Sequence, residues 1–244
     1  MQKTLVFTAT YNESANITSL CERILGLNPS YEMLVIDDNS PDGTGAILNK
    51  LAANSTRLKV IHRACKLGVG SAHELAMEYA ENNDYDVLVT MDADFSHNPD
   101  DIPRLLEALA DVDFVTGSRY MLGGACNYSG YRRIVSIWAN RWARRLLGIP
   151  LHEMTTSFRA FRVDFLRRVD LGAIKSNGYS FFMEIVFRLS RVGARMSEVP
   201  ITFADRQMGA SKIPPFEIFS GLRHLLYLFL LRLAQKRKTA QGQP

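Results

Sequence analysis

The chain has 244 residues and little cysteine. Cys21, Cys65 and Cys126 are odd in number and far apart, which excludes a disulfide framework, and neither C-x-x-C nor a Cys/His zinc spacing occurs. No G-x-G-x-x-G follows the first strand-like run and no G-x-x-x-x-G-K-[ST] exists, so a dinucleotide fold is disfavoured and a P-loop is out. The five histidines form no H-E-x-x-H and no triad spacing. A long apolar run is also missing. The most apolar segment, IFSGLRHLLYLFLLRLA (218–234), carries Arg223, His224 and Arg232, and its uninterrupted part is only Leu225 to Leu231. A span needs about 20 predominantly apolar residues. The N-terminus, MQKTLVFTATYNE, lacks the apolar core and cleavage site of a secretory leader. These absences lead us to expect a reduced, cytoplasmic setting.

Apolar content of 47% and charged content of 22% are ordinary for a globular protein. The net charge of +4 is mild but unevenly spread. The first 110 residues are acidic to balanced, while 119–168 and 188–238 are rich in Arg. A basic second half points to an anionic partner: phosphate, lipid headgroup or nucleic acid.

Strand-like runs occur at 3–9, 32–37, 58–62, 86–91 and 113–118, with helical patterns around 14–26, 44–53, 69–82 and 101–109. Strand alternating with helix predicts βαβ units and a mostly parallel sheet with helices on both faces. Runs such as LVFTA and VLVTM do not alternate, as expected of strands buried on both faces. After residue 118 the rhythm changes: 131–147, 179–192 and 215–235 read as helices and 195–203 as a strand. No linker separates this half, so it is expected to sit on the same sheet.

D-x-D occurs three times, at Asp84/Asp86, Asp92/Asp94 and Asp111/Asp113. Only Asp92/Asp94 follows a strand-like run, and ligands of open α/β sheets bind beyond the carboxyl ends of the strands. The other two pairs are expected to be solvated loops. Carboxylates crowded at a strand mouth repel one another, and a hard divalent cation relieves that; magnesium is typically held by one or two carboxylates plus substrate phosphates. Asp92 and Asp94 can serve one ion only if the strand has already turned. The bland alternative is that Asp94 caps a turn and Asp92 is a surface residue.

The segments ATYNESANI, IDDNSPDGT, KLGVGSA, MDADFSHNP, GSRY, SFRAFR and FADRQMGASK follow one another over residues 5–212. In this order they resemble the polyprenyl-phosphate glycosyltransferases of glycosyltransferase family 2, most closely the dolichol-phosphate mannosyltransferases. The resemblance implies a Rossmann-like type A glycosyltransferase fold. It implies transfer of mannose from GDP-mannose, a nucleotide-sugar donor, to a polyprenyl or dolichyl phosphate, with inversion at the sugar carbon and with Mg2+ or Mn2+ as cofactor. By motif match Tyr11, Glu13, Ile36 and Asp38 would form the base and ribose pocket, with Ala9 where the family has proline. Asp92, Ala93 and Asp94 would form the metal–diphosphate site, both aspartates being metal ligands. Arg119, Arg206 and Lys212 would clamp the diphosphate and acceptor phosphate, and Arg132 and Ser136 would hold the acceptor phosphate. Asp94, Arg119, Arg132 and Ser136 are thus the residues expected to carry catalysis. Ser96 stands where some members carry a third metal ligand. Further departures are Thr155-Thr156 before Ser-Phe-Arg and Phe181-Phe182 before Met-Glu, and they bear on the donor sugar more than on the reaction type.

The implied domain plan is a catalytic domain over 1–212, with a nucleotide-sugar half (1–118) and an acceptor half (119–212), followed by an amphipathic helix and basic tail (213–244). The basic residues of 131–147 interleave with Trp138 and Trp142, and the last helix ends in Lys236-Arg237-Lys238. Such composition suits a membrane surface better than a nucleic-acid groove. We therefore expect no nucleic-acid partner, and a protein peripheral on the cytoplasmic face of a membrane. Two other readings stay open: a family 2 enzyme using UDP-glucose or UDP-N-acetylglucosamine or a soluble or polysaccharide acceptor, and a non-catalytic nucleotide-binding scaffold at a membrane.

Overall fold

Short apolar runs too brief for helices fill the centre of the molecule. The computed structural model describes residues 2–127, 130–176, 178, 180–204 and 215–240; of 131–132, 215–218 and 235–240 it describes the backbone. The first half alternates strand and helix: β1 (Thr4–Thr10), α1 (Ile17–Leu27), β2 (Tyr31–Asp37), α2 (Thr44–Ala53), β3 (Leu58–His62), α3 (Val69–Asn82), β4 (Val87–Asp92), α4 (Ile102–Ala108) and β5 (Phe114–Ser118). The second half adds β6 (Ala125–Cys126), α5 (Tyr131–Leu147), β7 (Arg159–Arg162), α6 (Val163–Leu166), α7 (Ser180–Arg191), β8 (Met196–Pro200), β9 (Thr202–Phe203) and α8 (Pro215–Ala240).

Seven strands form one sheet in the order β3-β2-β1-β4-β7-β5-β8, parallel except for β7; β6 and β9 pair separately. The mostly parallel sheet matches the sequence expectation, and β7 and β8 of the second half lie within that same sheet. Strand β7 comes from the SFRAFR segment and was not legible as a strand. Its two arginines make it read as polar, yet both are consumed internally. Arg159 is buried, donates to the Met154 carbonyl at 2.8 Å and lies over the Phe182 ring. Burial pulls its guanidinium pKa down to about 9, so it stays charged at neutral pH. Arg162 reaches the carbonyls of Leu109, Ala110 and Val112 just beyond α4, as a cation near a helix C-terminus should.

Alternate strand residues feed two cores. Val6, Val35, Val89 and Val115 pack under α1, α2 and α4. Leu5, Phe7, Leu34, Leu88 and Phe114 pack under α3, α5, α7 and α8. The expected single strand over 195–203 is broken into β8 and β9 at Ile201. Asp113, expected to be solvated, is instead buried and held by the Arg195 backbone and guanidinium at 2.9–3.1 Å. The partner lies 82 residues away, out of reach of any local pattern. Asp86, also expected to be solvated, is exposed and accepts the Lys3 amide at 2.7 Å.

Candidate active site

The carboxyl ends of β1, β2, β4 and β5 reach one edge of the sheet. Register fixes who meets whom: Ala9 lies opposite both Ile36 and Asp92. Beyond β1 and β2 the chain is stitched by side-chain caps. The Asn12 amide donates to Ser40, the Glu13 amide to Thr44, and the Ser14 amide to Asp42, at 2.9–3.0 Å. Tyr11 remains 38% exposed, with Lys66 Nζ 3.9 Å from its ring centre. Asp38 is buried and ion-paired with Arg63, which is fixed in turn by Ser71 and the Gly68 carbonyl. Arg63 was absent from the sequence reading. Its position at the end of β3, on the same edge, was the available signal.

Strand β4 ends at Asp92, and Phe95 takes a left-handed conformation (φ +57°), so the chain turns at once. That turn is the condition the sequence set for both aspartates to serve one site. Asp92 is half-buried and accepts from the Ser157 hydroxyl at 2.6 Å. Asp94 is buried and accepts from the Ser96 amide at 3.0 Å and from its hydroxyl. Ser96 therefore acts on Asp94 as a hydrogen-bond donor. His97 is buried behind Asp92. The Asp92 amide donates to its Nδ1 (3.3 Å), which leaves the proton on Nε2, facing Thr156 Oγ1 at 3.0 Å. Burial holds its pKa below the usual range, so it is neutral at pH 7.

Among the described residues no three His, Cys, Asp or Glu side chains gather as a metal-binding group. Asp92 and Asp94 are hard oxygen donors, and His97 spends both ring nitrogens on protein partners. Such a pair fits Mg2+ or Mn2+ completed by phosphate oxygens and water.

Arg119 follows β5 but turns inward. Its Nε donates to Glu153 at 2.7 Å and its Nη2 to Thr155 at 3.2 Å, and it lies beside the Tyr120 and Phe203 rings. Glu153 is fully buried. Burial alone would raise its pKa, but the Arg119 charge and hydrogen bonds from Arg119 and Thr155 outweigh it, so the carboxylate sits below its ordinary range. Tyr120 donates to Ser136 of α5 at 2.7 Å, and Asn140, one turn on, bonds Thr155 and the Met154 amide. The structure thus brings Ala9, Tyr11, Glu13, Ile36, Asp38, Asp92, Ala93 and Asp94 to one edge and links Arg119 and Ser136 to it. Arg132 lies in α5 but its side chain is not described; Arg206 and Lys212 lie outside the described residues. Sequence reasoning missed Ser157 and Glu153, whose partners are 65 and 34 residues distant.

On α5 the apolar side chains Ile134, Ile137, Trp138 and Trp142 are exposed, as are Phe219, Leu222, Leu226, Leu230 and Leu233 of α8. Leu225 and Leu228 of α8 are buried, and Arg232 donates to the Leu146 carbonyl at the end of α5. Helix α8 therefore serves both as a core helix and as an exposed apolar face. No helix is long and apolar enough to cross a membrane among the described residues.

The glycosyl transferase family 2 model matches residues 5–170. A polyprenol monophosphomannose synthase of Mycolicibacterium smegmatis is 42% identical over 215 residues, covering 87% of this chain and 81% of its own. An undecaprenyl-phosphate mannosyltransferase of Micrococcus luteus is 42% identical over 212 residues, covering 86% and 87%. Among solved structures, glucosyl-3-phosphoglycerate synthase of Mycobacterium tuberculosis, in complex with Mn2+, UDP and phosphoglyceric acid, superposes with a TM-score of 0.67 at 20% identity over 93% of this chain and 78% of that one. A Pyrobaculum calidifontis mannosyltransferase in complex with GDP-Man and Mn2+ gives 0.57 at 16% over 99% and 76%. These two likenesses establish the fold.

Proposed function

The chain belongs to glycosyltransferase family 2, and we propose that it moves mannose from GDP-mannose to the phosphate of a polyprenyl lipid, with inversion, at a membrane surface on its cytoplasmic side. The observation that carries the reading is the Tyr120–Ser136 hydrogen bond. Through it the residue after Arg119, on the edge that carries Asp92 and Asp94, touches the helix whose outer face exposes Trp138 and Trp142. A sugar donor at the edge and a lipid at the helix would meet there.

A phosphate monoester has a second pKa of about 6 and is largely dianionic at pH 7. It is itself the nucleophile. Its oxygen attacks the anomeric carbon, the bond to the diphosphate oxygen breaks, and GDP departs with the electron pair. No proton has to move, which agrees with a neutral, buried His97. A divalent cation, when bound, neutralises the departing diphosphate. Asp92 and Asp94 are the residues that would hold it, with Ser157 and Ser96 aiming their oxygens. Glu153 sets the direction of Arg119, which in this proposal would offer its guanidinium to the phosphates. The base and ribose roles of Ala9, Tyr11, Glu13, Ile36 and Asp38 belong to this proposal, as do the phosphate roles of Arg132, Ser136, Arg206 and Lys212.

Asp94→Asn tests the reading at the site: turnover should vanish while the circular dichroism spectrum and melting temperature hold. Turnover at the native rate would reject it.

A further inference from the structure

Helix α5 carries, beyond Ser136, three arginines that the transfer reaction does not use. A cavity of about 710 Å³ opens between α5 and the segment that follows it, lined by Arg141, Arg144, Arg145, Tyr120, Asn140 and His152 among others. That volume is in the range of ligand sites. None of its lining residues is acidic. The three arginines stand at i, i+3 and i+4, on one helical face, where like charges repel. None of them has an ion-pair partner among the described residues. His152, on the opposite wall, gives its Nδ1 to Glu198 at 2.7 Å.

The helix dipole accounts for some positive charge at this end. Here, however, a fourth cation already does that work: Arg232 of α8 donates to the Leu146 carbonyl. The cavity therefore gathers more cations than the protein's own acceptors satisfy. Its neighbour is the apolar ridge of Ile134, Trp138 and Trp142, each more than half exposed. A concave basic wall beside exposed tryptophans matches the boundary of a bilayer, with phosphates at one level and ring and chain carbons just below. Guanidinium groups suit phosphate oxygens through paired N–H donors.

The geometry points to a binding site for the phosphate of an anionic phospholipid headgroup on Arg141, Arg144 and Arg145, adjoining the acceptor-phosphate position at Ser136 and sharing the Tyr120 and Asn140 wall with it. It rests on the membrane-surface reading above and deepens it: the protein would be held by one seated lipid as well as by diffuse attraction. Ser136 is half-buried one turn before Asn140 on α5, so a lipid in the cavity would set the height at which an acceptor phosphate arrives.

Both tryptophans of the chain are on α5, so tryptophan fluorescence, excited beyond the tyrosine absorption, reports on this face alone. The full chain is titrated with short-chain phosphatidylglycerol below its micelle concentration and, separately, with inorganic phosphate. Saturable one-to-one binding of the lipid, with no response to phosphate at equal concentration, is expected; an equal response to both would make this a free-phosphate site and overturn the lipid assignment. In a second arm, wild type, R141Q/R144Q/R145Q and the charge-matched K50Q/K59Q/R191Q are mixed with phosphatidylcholine vesicles with and without phosphatidylglycerol. The first variant should lose roughly a hundredfold in partitioning to the anionic vesicles, at the usual contribution per basic residue, and the matched variant no more than about threefold on the same scale. Equal losses in the two variants would leave the membrane reading standing and remove the cavity site. Failure of wild type to bind any vesicle would remove both.

Discussion

Ser157 Oγ donates to Asp92 Oδ1 at 2.6 Å, joining the approach to β7 to the end of β4. A hydrogen bond to a charged group contributes about 1.5–3 kcal/mol. Ser157→Ala should therefore raise the half-saturating Mn2+ or Mg2+ concentration by roughly ten- to a hundredfold on that scale. Metal-free GDP binding should stay unchanged. Calorimetry with and without metal separates the two; a variant with native metal dependence would show that Asp92 needs no such support.

Arg119 and Glu153 form a buried ion pair in which each desolvated charge depends on the other. Removing one partner of such a pair costs about 3–5 kcal/mol. Glu153→Gln should lower the urea midpoint strongly, and Glu153→Gln/Arg119→Met should recover part of that loss. A double variant no more stable than the single one would contradict the coupling.

The buried Glu184 of α7 ties α8 to the body, accepting from Ser176 (2.8 Å) and Arg188 (2.6–2.9 Å) and facing His224 Nε2 at 2.9 Å. Burial raises its pKa, but the hydrogen bonds from His224, Ser176 and Arg188 win and bring it to about 2, from 4.5. Because the folded value is depressed, its stabilisation is complete above the unfolded value and is lost as pH falls from 4.5 through 2. Wild type should lose stability over that window more steeply than Glu184→Gln, which should already be weaker at pH 7. Parallel pH profiles would refute the assignment.

Gly148 ends α5 in a left-handed turn (φ +68°), and a Cβ there would lie 2.1 Å from Arg232 Nη2. Gly148→Ala should cost about 1–2 kcal/mol for the turn itself and more for displacing the Arg232 cap. Adding Arg232→Ala should relieve only the second part. Thermal melts of the three variants check this; a single substitution without effect would show that the cap is dispensable.

The sheet was legible because β1, β2, β4 and β5 are apolar without alternation, the mark of burial on both faces. Strand β7 was not, because Arg159 and Arg162 mimic a surface pattern while satisfying internal carbonyls. At the site, the position of Asp92 and Asp94 followed from the strand that precedes them. Ser157, Glu153 and Arg63 did not follow, since their pairings arise from tertiary approach rather than from spacing. The arginines of α5 read as one interfacial group; only the fold shows that Arg141, Arg144 and Arg145 line a cavity beside the ridge that carries the tryptophans.

The central claim is a mannosyl transfer to a lipid phosphate, and a donor panel tests it most directly. Purified protein, a polyprenyl phosphate and Mn2+ or Mg2+ are incubated with GDP-mannose, UDP-glucose or UDP-N-acetylglucosamine in turn, and the lipid product is read by mass spectrometry. The expected result is a hexosyl polyprenyl phosphate from GDP-mannose alone, lost on chelation. A product formed preferentially from a UDP-sugar, or full turnover in excess chelator, would contradict it.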